Sequence, residues 1–416
     1  MTKHGLLFIF LSLLLSCTSE RTSEKDYHFD EKGIRREVLE NYLERSITVT
    51  DILVPRNGKA QRDDDIRMIK HIGAKFLGRA ILTWEGEDKL LKESFWNDAR
   101  AIIDELHAYD PDIIFQACLF EAISEKVNLI RIPAWVFESY GLEPEERNFN
   151  YAEMLNKDGK FVDHWHKGGS VPDISRMETK LWFQYLACSY INIGCEAFHL
   201  GQIELMGMND PEKKHWFSVV GQIRRYAASH ARRHWVVLDA HTPKGGMVVD
   251  GKSLIDFNSF PMRIRAVPTR EPWKEGEAQT AELKVGHTDA LYTKSKGCIT
   301  PTGWSCEHLP YLVEIDNFGR EKEVDIANPD SYFCWGWDEI SWYAKQPEAY
   351  RNEWLVYVTR WMRETDPDGH IEMPGIRPIC CPNQTNGTYR ANTRSEACPH
   401  GYNQEETIRA IWKGEL

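Results

Sequence analysis

The sequence predicts an α/β fold, a (β/α)8 TIM barrel with long loop insertions over its C-terminal mouth. Three observations carry that expectation. Apolar strand-like runs alternate with amphipathic helical stretches along most of the 416 residues, the pattern of a mainly parallel sheet. Eight such runs can be counted, the number that closes a barrel. Several of them end in acids, His or Asn, as in AFHLGQIELMG (197–207), where a strand placed only for burial would end in Val or Ile.

The chain opens MTKHGLLFIFLSLLLSC. Its apolar run, Leu6 to Leu15, is too short for a permanent membrane span, which takes roughly 20 apolar residues. Residues 1–17 therefore read as a cleaved export signal. Residues 18–40 read as a polar tether and 41–416 as one barrel domain, with 266–308 and 379–403 as loop insertions.

The first strand is expected in SITVTDILV (46–54), the second in KFLGRAILTW (75–84) and the third in DIIFQACLFE (112–121). Helices near 64–72 and 93–108 connect them. The next helix can start with a capping box, Ser175 and Glu178, and end at Gly194. It leads to CEAFHLG (195–201). Asp210-Pro211 then places a cap and a first-turn proline before the helix that delivers HWVVLDAHTP (234–243). SLIDFNSF (253–260), YLVEIDNFG (311–319) and IEMPGI (371–376) complete the set, the last following a helical stretch interrupted at Pro347.

Side chains alternate along a strand, and the outer face of a barrel must be apolar because helices cover it. This sorts the polar residues. Val236 and Leu238 suit the outside, so Val237, Asp239 and His241 face the lumen. By the same parity His199, Glu314 and Asp316 face inward, as do Asp256 and Asn258 if Ile255 and Phe257 face out. Trp84, Glu85, Glu121, Gln202 and Glu204 lie at or just past strand ends. In such barrels the C-terminal ends of the strands carry the active site.

A ring of acids on one opening suits glycosidic bond cleavage, which uses one carboxylic acid to protonate the leaving oxygen and a second carboxylate across the sugar. Glu204, Asp316, Glu314 and Asp239 are the catalytic candidates. His199, Gln202, His241 and Asn258, with Glu85 and Glu121, could bond sugar hydroxyls, and Trp84, Trp335 and Trp337 could stack on ring faces. No cofactor is expected. The partner is an oligo- or polysaccharide. A net charge of −12 without a concentrated basic face argues against nucleic acid.

Leu14-Leu15-Ser16-Cys17 resembles the bacterial lipobox, which implies lipidation of Cys17, and Thr18 after it implies release from the inner membrane. With the barrel pattern, this resembles the (β/α)8 glycoside hydrolases exported as lipoproteins by gut-type Bacteroidetes. The resemblance implies an outer-membrane lipoprotein. It also implies an acid/base at the end of the fourth strand, where Glu204 stands, and a nucleophile at the end of the seventh, where Glu314 and Asp316 stand. Glu204 lacks the preceding Asn of that group.

Two other readings compete. A metal-dependent hydrolase on the same barrel would gather His199, Asp239, His241 and Asp256. A non-catalytic glycan-binding lipoprotein would need the aromatic residues but no acid pair. Among the cysteines, Cys118, Cys188 and Cys195 lie in apolar surroundings and read as buried thiols. Cys298 with Cys306, and one pair among Cys380, Cys381 and Cys398, could form disulfides in an oxidising compartment.

Overall fold

In a computed structural model, which describes residues 25–54, 58–288, 293–381 and 387–416, eight parallel strands close on themselves. They are β1 (Ser46–Val49), β2 (Phe76–Ile81), β3 (Ile114–Cys118), β4 (Ala197–Gln202), β5 (Val237–His241), β6 (Asn258–Pro261), β7 (Tyr311–Glu314) and β8 (Gly369–Pro378). Neighbours pair in chain order, and β1 pairs with β8 to seal the ring. The chain is therefore a (β/α)8 barrel, and each of the eight expected strands has its counterpart. A short strand, β9 (Thr388–Arg390), adds antiparallel to the end of β8. Cys17 and the stretch read as an export signal lie outside the described residues. Among the described residues no helix is long and apolar enough to cross a membrane.

Helices α1 (Arg36–Leu43), α2 (Lys59–Ile72), α3 (Glu93–Tyr109), α4 (Met177–Ile193), α5 (Lys214–His230), α6 (Glu339–Lys345), α7 (Glu348–Thr365) and α8 (Glu405–Lys413) accompany the strands. α4 ends at Gly194, whose φ of 108° is the left-handed conformation that glycine adopts without strain. Its expected capping box is absent: Arg176 is the N-cap, and Glu178 instead bonds Arg147 and the Asn150 amide. α1 begins within the stretch expected as a tether, 18–40, and ends beyond it. Its Val38, Leu39, Tyr42 and Leu43, with Tyr27 and Ile34, are buried against Phe76, Ile114, Ala197, Val237, Phe257 and Leu312. These last six come from the starts of strands, so the N-terminal end of the barrel is plugged with apolar side chains.

The connection from β5 to β6 contains no helix. Residues of that connection and of 293–308 form a small sheet, Val248–Val249, Lys252–Ser253, Cys298–Ile299 and Ser305–Cys306. Residues 266–288 pack against the other side: Gln279 bonds Gln346 and Trp342, and the Ala281 and Leu283 amides donate to the hydroxyls of Tyr350 and Tyr357 on α7. The 266–308 segment thus stands where a crossover helix between β6 and β7 would be. Its described residues bond to α6 and α7. No described residue of 266–308 or 379–403 lines the mouth cavity.

Candidate active site

Alternation along each strand places a polar layer directly above the apolar plug. Two residues beyond Phe76, Ile114, Ala197, Val237, Phe257 and Leu312 stand Gly78, Gln116, His199, Asp239, Ser259 and Glu314. Glu372 joins them, directly across from Glu314 in the β7–β8 register. Gly78 makes room for it: a Cβ built there would lie 1.9 Å from Glu372 Oε1. Hydrogen bonds and ion pairs link several members of this layer. Gln116 Nε2 donates to Asp239 Oδ1 at 2.7 Å, and His199 Nδ1 donates to Asp239 Oδ2 at 2.7 Å. His241 Nε2 donates to Glu314 Oε1 at 2.9 Å. Arg79 also bonds Glu314, and Arg377 Nη1 reaches Glu314 Oε2 at 3.1 Å.

Charge is distributed unevenly in this layer. Burial pushes the Glu314 carboxyl up, but the Arg79 and Arg377 guanidinium groups override it and hold the group well below the usual carboxylate range. Burial, reinforced by the Glu314 charge, raises Glu372 to about 8. His199 is lowered, chiefly by burial and against the pull of Asp239. A neutral His199 that donates from Nδ1 leaves Nε2 as a bare acceptor, and this buried atom has no partner among the described residues.

Above the layer opens a cavity of about 1030 Å³, the size class that encloses a multi-ring ligand (pockets for drug-sized ligands are roughly 300–1,000 Å³). Glu204, Asp316, Glu121, Gln202, His199, His241 and Trp84 all line it. Glu204 is solvent-exposed on the short turn Ile203–Met206 after β4 and takes no bond from another described residue. Asp316 Oδ1 accepts from Arg377 Nη2 and from the Asn317 amide, both at 2.8 Å. Glu121 accepts from the Gln202 amide and from Gln202 Nε2 at 3.0 and 2.9 Å, which fixes the chain where β4 ends. Trp84 is 39% exposed at the rim, edge-on to Phe120 and Trp165 at 5.4 and 5.0 Å.

The structure places six further candidates behind the cavity lining or away from it. Glu314 and Asp239 are buried behind the lining, tied to the groups that form it. Glu85 turns away from Trp84 to His166, 2.5 Å distant. Asn258 is not in the lumen: Phe257 belongs to the apolar plug, so parity turns Asn258 outward, and its Oδ1 lies beside Gly246 of the β5–β6 connection. Trp335 and Trp337 also lie elsewhere, both buried. The Trp335 indole N–H donates to the Thr280 carbonyl at 2.8 Å, which ties the β7–α6 loop to the 266–288 segment, and that of Trp337 donates to Asp325 Oδ1 at 3.0 Å within the same loop.

The residues expected to hold a metal do not all meet. Asp256 is bound to the Leu238 amide and to Arg224, outside the polar layer. Among the described residues His199, His241 and Glu314 do offer one ligand atom each within 4.8 Å. Both guanidinium groups already bond Glu314, however, and a cation placed there would face two like charges at close range.

Sequence reasoning passed over Arg79, Gln116, Glu372 and Arg377, which organise the site. Each is a polar residue inside an otherwise apolar run, and that was the available signal. Lys160, Phe161 and Trp165, which line the cavity, come from the irregular β3–β4 connection, where no periodicity marks them.

No family model matches the chain, and no curated protein matches it. Among solved structures it is similar to a β-L-arabinopyranosidase of Geobacillus stearothermophilus (10% identity, 52% of this chain and 54% of that one, TM-score 0.29). A second is a putative α-N-acetylgalactosaminidase of Bacillus halodurans (12% identity, 49% and 47%, TM-score 0.26). A third is endo-glycoceramidase II of Rhodococcus sp. (10% identity, 92% and 81%, TM-score 0.40). The chain spans about half the length of the first two.

Proposed function

We propose that this chain is a glycoside hydrolase acting on an oligo- or polysaccharide, with Glu204 and Asp316 as its two working carboxylates. One observation carries the reading: these carboxylates, one past β4 and one past β7, share a single large cavity rimmed by Trp84, Trp165, Phe318 and Tyr332. Glu204 accepts no hydrogen bond from the described residues and is free to offer a proton to the departing oxygen. Asp316 already accepts two, is fixed in place by Arg377, and suits attack on carbon or activation of water. Glu314 and Asp239 become positioning residues, the first holding Arg79 and Arg377, the second orienting His199. The aromatic rim supports the apolar faces of sugar rings. The sequence further suggests an exported protein anchored at the outer membrane through Cys17.

The test is incubation of the purified chain with a panel of plant, host and microbial polysaccharides, measuring released reducing ends. Glu204→Gln and Asp316→Asn are each expected to lower turnover by about 10²–10⁴, the range for a lost general acid or base. Full turnover in either variant removes that residue from its role, and no release from any glycan leaves a non-catalytic binder.

A further inference from the structure

We infer that Glu85 and His166 are positioning residues: they hold the Trp84–Trp165 pair on the cavity rim, and do so only while His166 carries a proton on both ring nitrogens. The inference rests on the glycosidase reading only for what the rim receives. Glu85 follows Trp84 just past β2, and His166 follows Trp165 in the β3–β4 connection, so the two pairs lie side by side. The indoles meet edge-on at 5.0 Å and both line the cavity. Next to them His166 Nε2 reaches Glu85 Oε2 at 2.5 Å. The other ring nitrogen, Nδ1, lies 2.9 Å from the Lys167 carbonyl oxygen. A neutral imidazole has one N–H, and facing a carboxylate and a carbonyl it would set a lone pair against one of them. The imidazolium satisfies both.

The corner is shaped for this contact. Glu85 takes a φ of 54°, in the left-handed region that a residue with a Cβ adopts at a cost. Gly169 leaves the space opposite: a Cβ there would stand 2.1 Å from Glu85 Oε1 and 2.9 Å from His166 Nε2. The turn is tight, with the Gly169 amide donating to the His166 carbonyl at 2.9 Å and the Trp165 amide to the Gly169 carbonyl at 3.1 Å. The Trp165 indole N–H also donates to the Glu121 carbonyl at 2.9 Å. Titration of His166 leaves that bond in place, so losing the proton loosens the rim rather than releasing it.

The charges around the ring favour the proton. Glu85 and Asp163 both stabilise it, and the Glu125 carboxyl lies 4.0 Å from where a Gly168 Cβ would stand. Of the nearby cations, Lys167 is exposed, and Lys126 is held by Asp88 at 2.9 Å and by the Glu85 carbonyl at 3.2 Å. His164 packs edge-on to Trp165 at 4.6 Å. The Lys167 carbonyl and then Glu85 raise His166 above the ordinary histidine value. The latch is therefore complete at mildly acidic pH and is lost as pH rises through the raised value.

The test needs no substrate at its first step. Hydrogen exchange of the 160–170 segment in the full chain, corrected for the intrinsic effect of pH, is read by mass spectrometry at about pH 6 and about pH 9, well apart on either side of the histidine range. Opening should be about two- to fivefold greater at the higher pH, the size of one exposed ion pair. It should be equal at both in His166→Gln, which keeps a donor for Glu85 and cannot titrate. Nitrogen-15 NMR should show both His166 nitrogens protonated at the lower pH, and Glu85→Gln should lower the pH at which those signals titrate. For a glycan that the chain hydrolyses, KM should rise by a similar factor between the two pH values in the unsubstituted chain and not in His166→Gln, while kcat changes with pH alike in both. Protection that is independent of pH, an equal change in His166→Gln, or a KM that does not follow the exchange overturns the inference. Hydrolysis with pH-independent protection would sink it and leave the glycosidase reading standing. A pH-dependent latch in a chain that neither binds nor cleaves any glycan would do the reverse.

Discussion

Glu314 and Glu372 stand directly opposite each other on β7 and β8, both buried in the barrel lumen. Two carboxylates in that relation cannot both ionise cheaply. The arginines settle which one does: Glu314 is driven down, and Glu372 is left raised to about 8 by burial and by its charged neighbour. At neutral pH the pair shares one proton, carried on Glu372.

This arrangement makes stability depend on pH. A carboxyl whose folded pKa lies above its unfolded value binds more protons in the folded state between the two, so its stabilising contribution is fully present below about pH 4.5 and declines as pH rises through about 8. The decline is at most about 1.4 kcal/mol per pH unit, one proton's worth. Thermal scans from pH 6 to pH 9 should show a falling melting temperature in the wild type and a flatter profile in Glu372→Gln. Parallel profiles would mean Glu372 ionises normally.

Glu314 pairs with two guanidinium groups at once; deleting it strands Arg79 and leaves Arg377 with Asp316 alone. Breaking a buried ion pair from one side costs about 3–5 kcal/mol, and Glu314→Ala should lose that much in urea unfolding. Adding Arg79→Met to Glu314→Ala should recover part of the loss, since one stranded charge goes with it. A cost below about 1 kcal/mol for Glu314→Ala would show that water reaches the site and solvates both arginines, against the burial described.

Asp239 fixes the tautomer of His199. With the carboxylate accepting at 2.7 Å, the proton sits on Nδ1 and burial keeps the ring neutral. Nitrogen-15 NMR of labelled histidine should report the Nδ1–H form throughout pH 6–8. In Asp239→Asn, where the acceptor becomes an amide able to donate, the Nε2–H form should appear and turnover should fall by about 10–100-fold, as when the group that orients a working histidine is lost. An Nε2–H signal in the unsubstituted protein would refute the assignment.

The strands and the inward polar face were legible because alternation is local: one apolar partner on either side fixes the direction of Asp239, His199 or Glu314. The sixth strand shows the limit. SLIDFNSF offers apolar residues at both parities, and the direction of Asn258 depends on Phe257 being needed in the plug, a long-range packing fact. Arg79 was obscured for a different reason. It sits at φ 54° in β2, where the register with β3 shifts, so simple alternation does not predict its direction. The two tryptophans and the 266–308 segment depend on where long loops travel, which periodicity does not encode. The acids at the mouth were found because strand ends converge in any closed barrel; the arginines that organise them lie on strands read only for their apolar content.

Cys298 and Cys306 are placed to form a disulfide. They face each other across an antiparallel register in the small sheet, with sulfur atoms 3.7 Å apart, so a modest approach would bring them to the roughly 2.05 Å of a disulfide. In an oxidising compartment, with a thiol–disulfide oxidoreductase or molecular oxygen taking the two electrons, the pair should close. The bond would fasten the sheet that stands in for the missing β5–β6 helix, near Trp304 and the buried Ile34 carbonyl it bonds. A loop this short should gain about 2–3 kcal/mol from closure. Mass spectrometry under non-reducing conditions should show a loss of about two hydrogens in the peptide spanning both residues (the pairing chemistry of), and dithiothreitol should lower the melting temperature of the wild type but not of Cys306→Ser. If both thiols still react with an alkylating reagent after oxidation, the pair does not close and the sheet is held by packing alone.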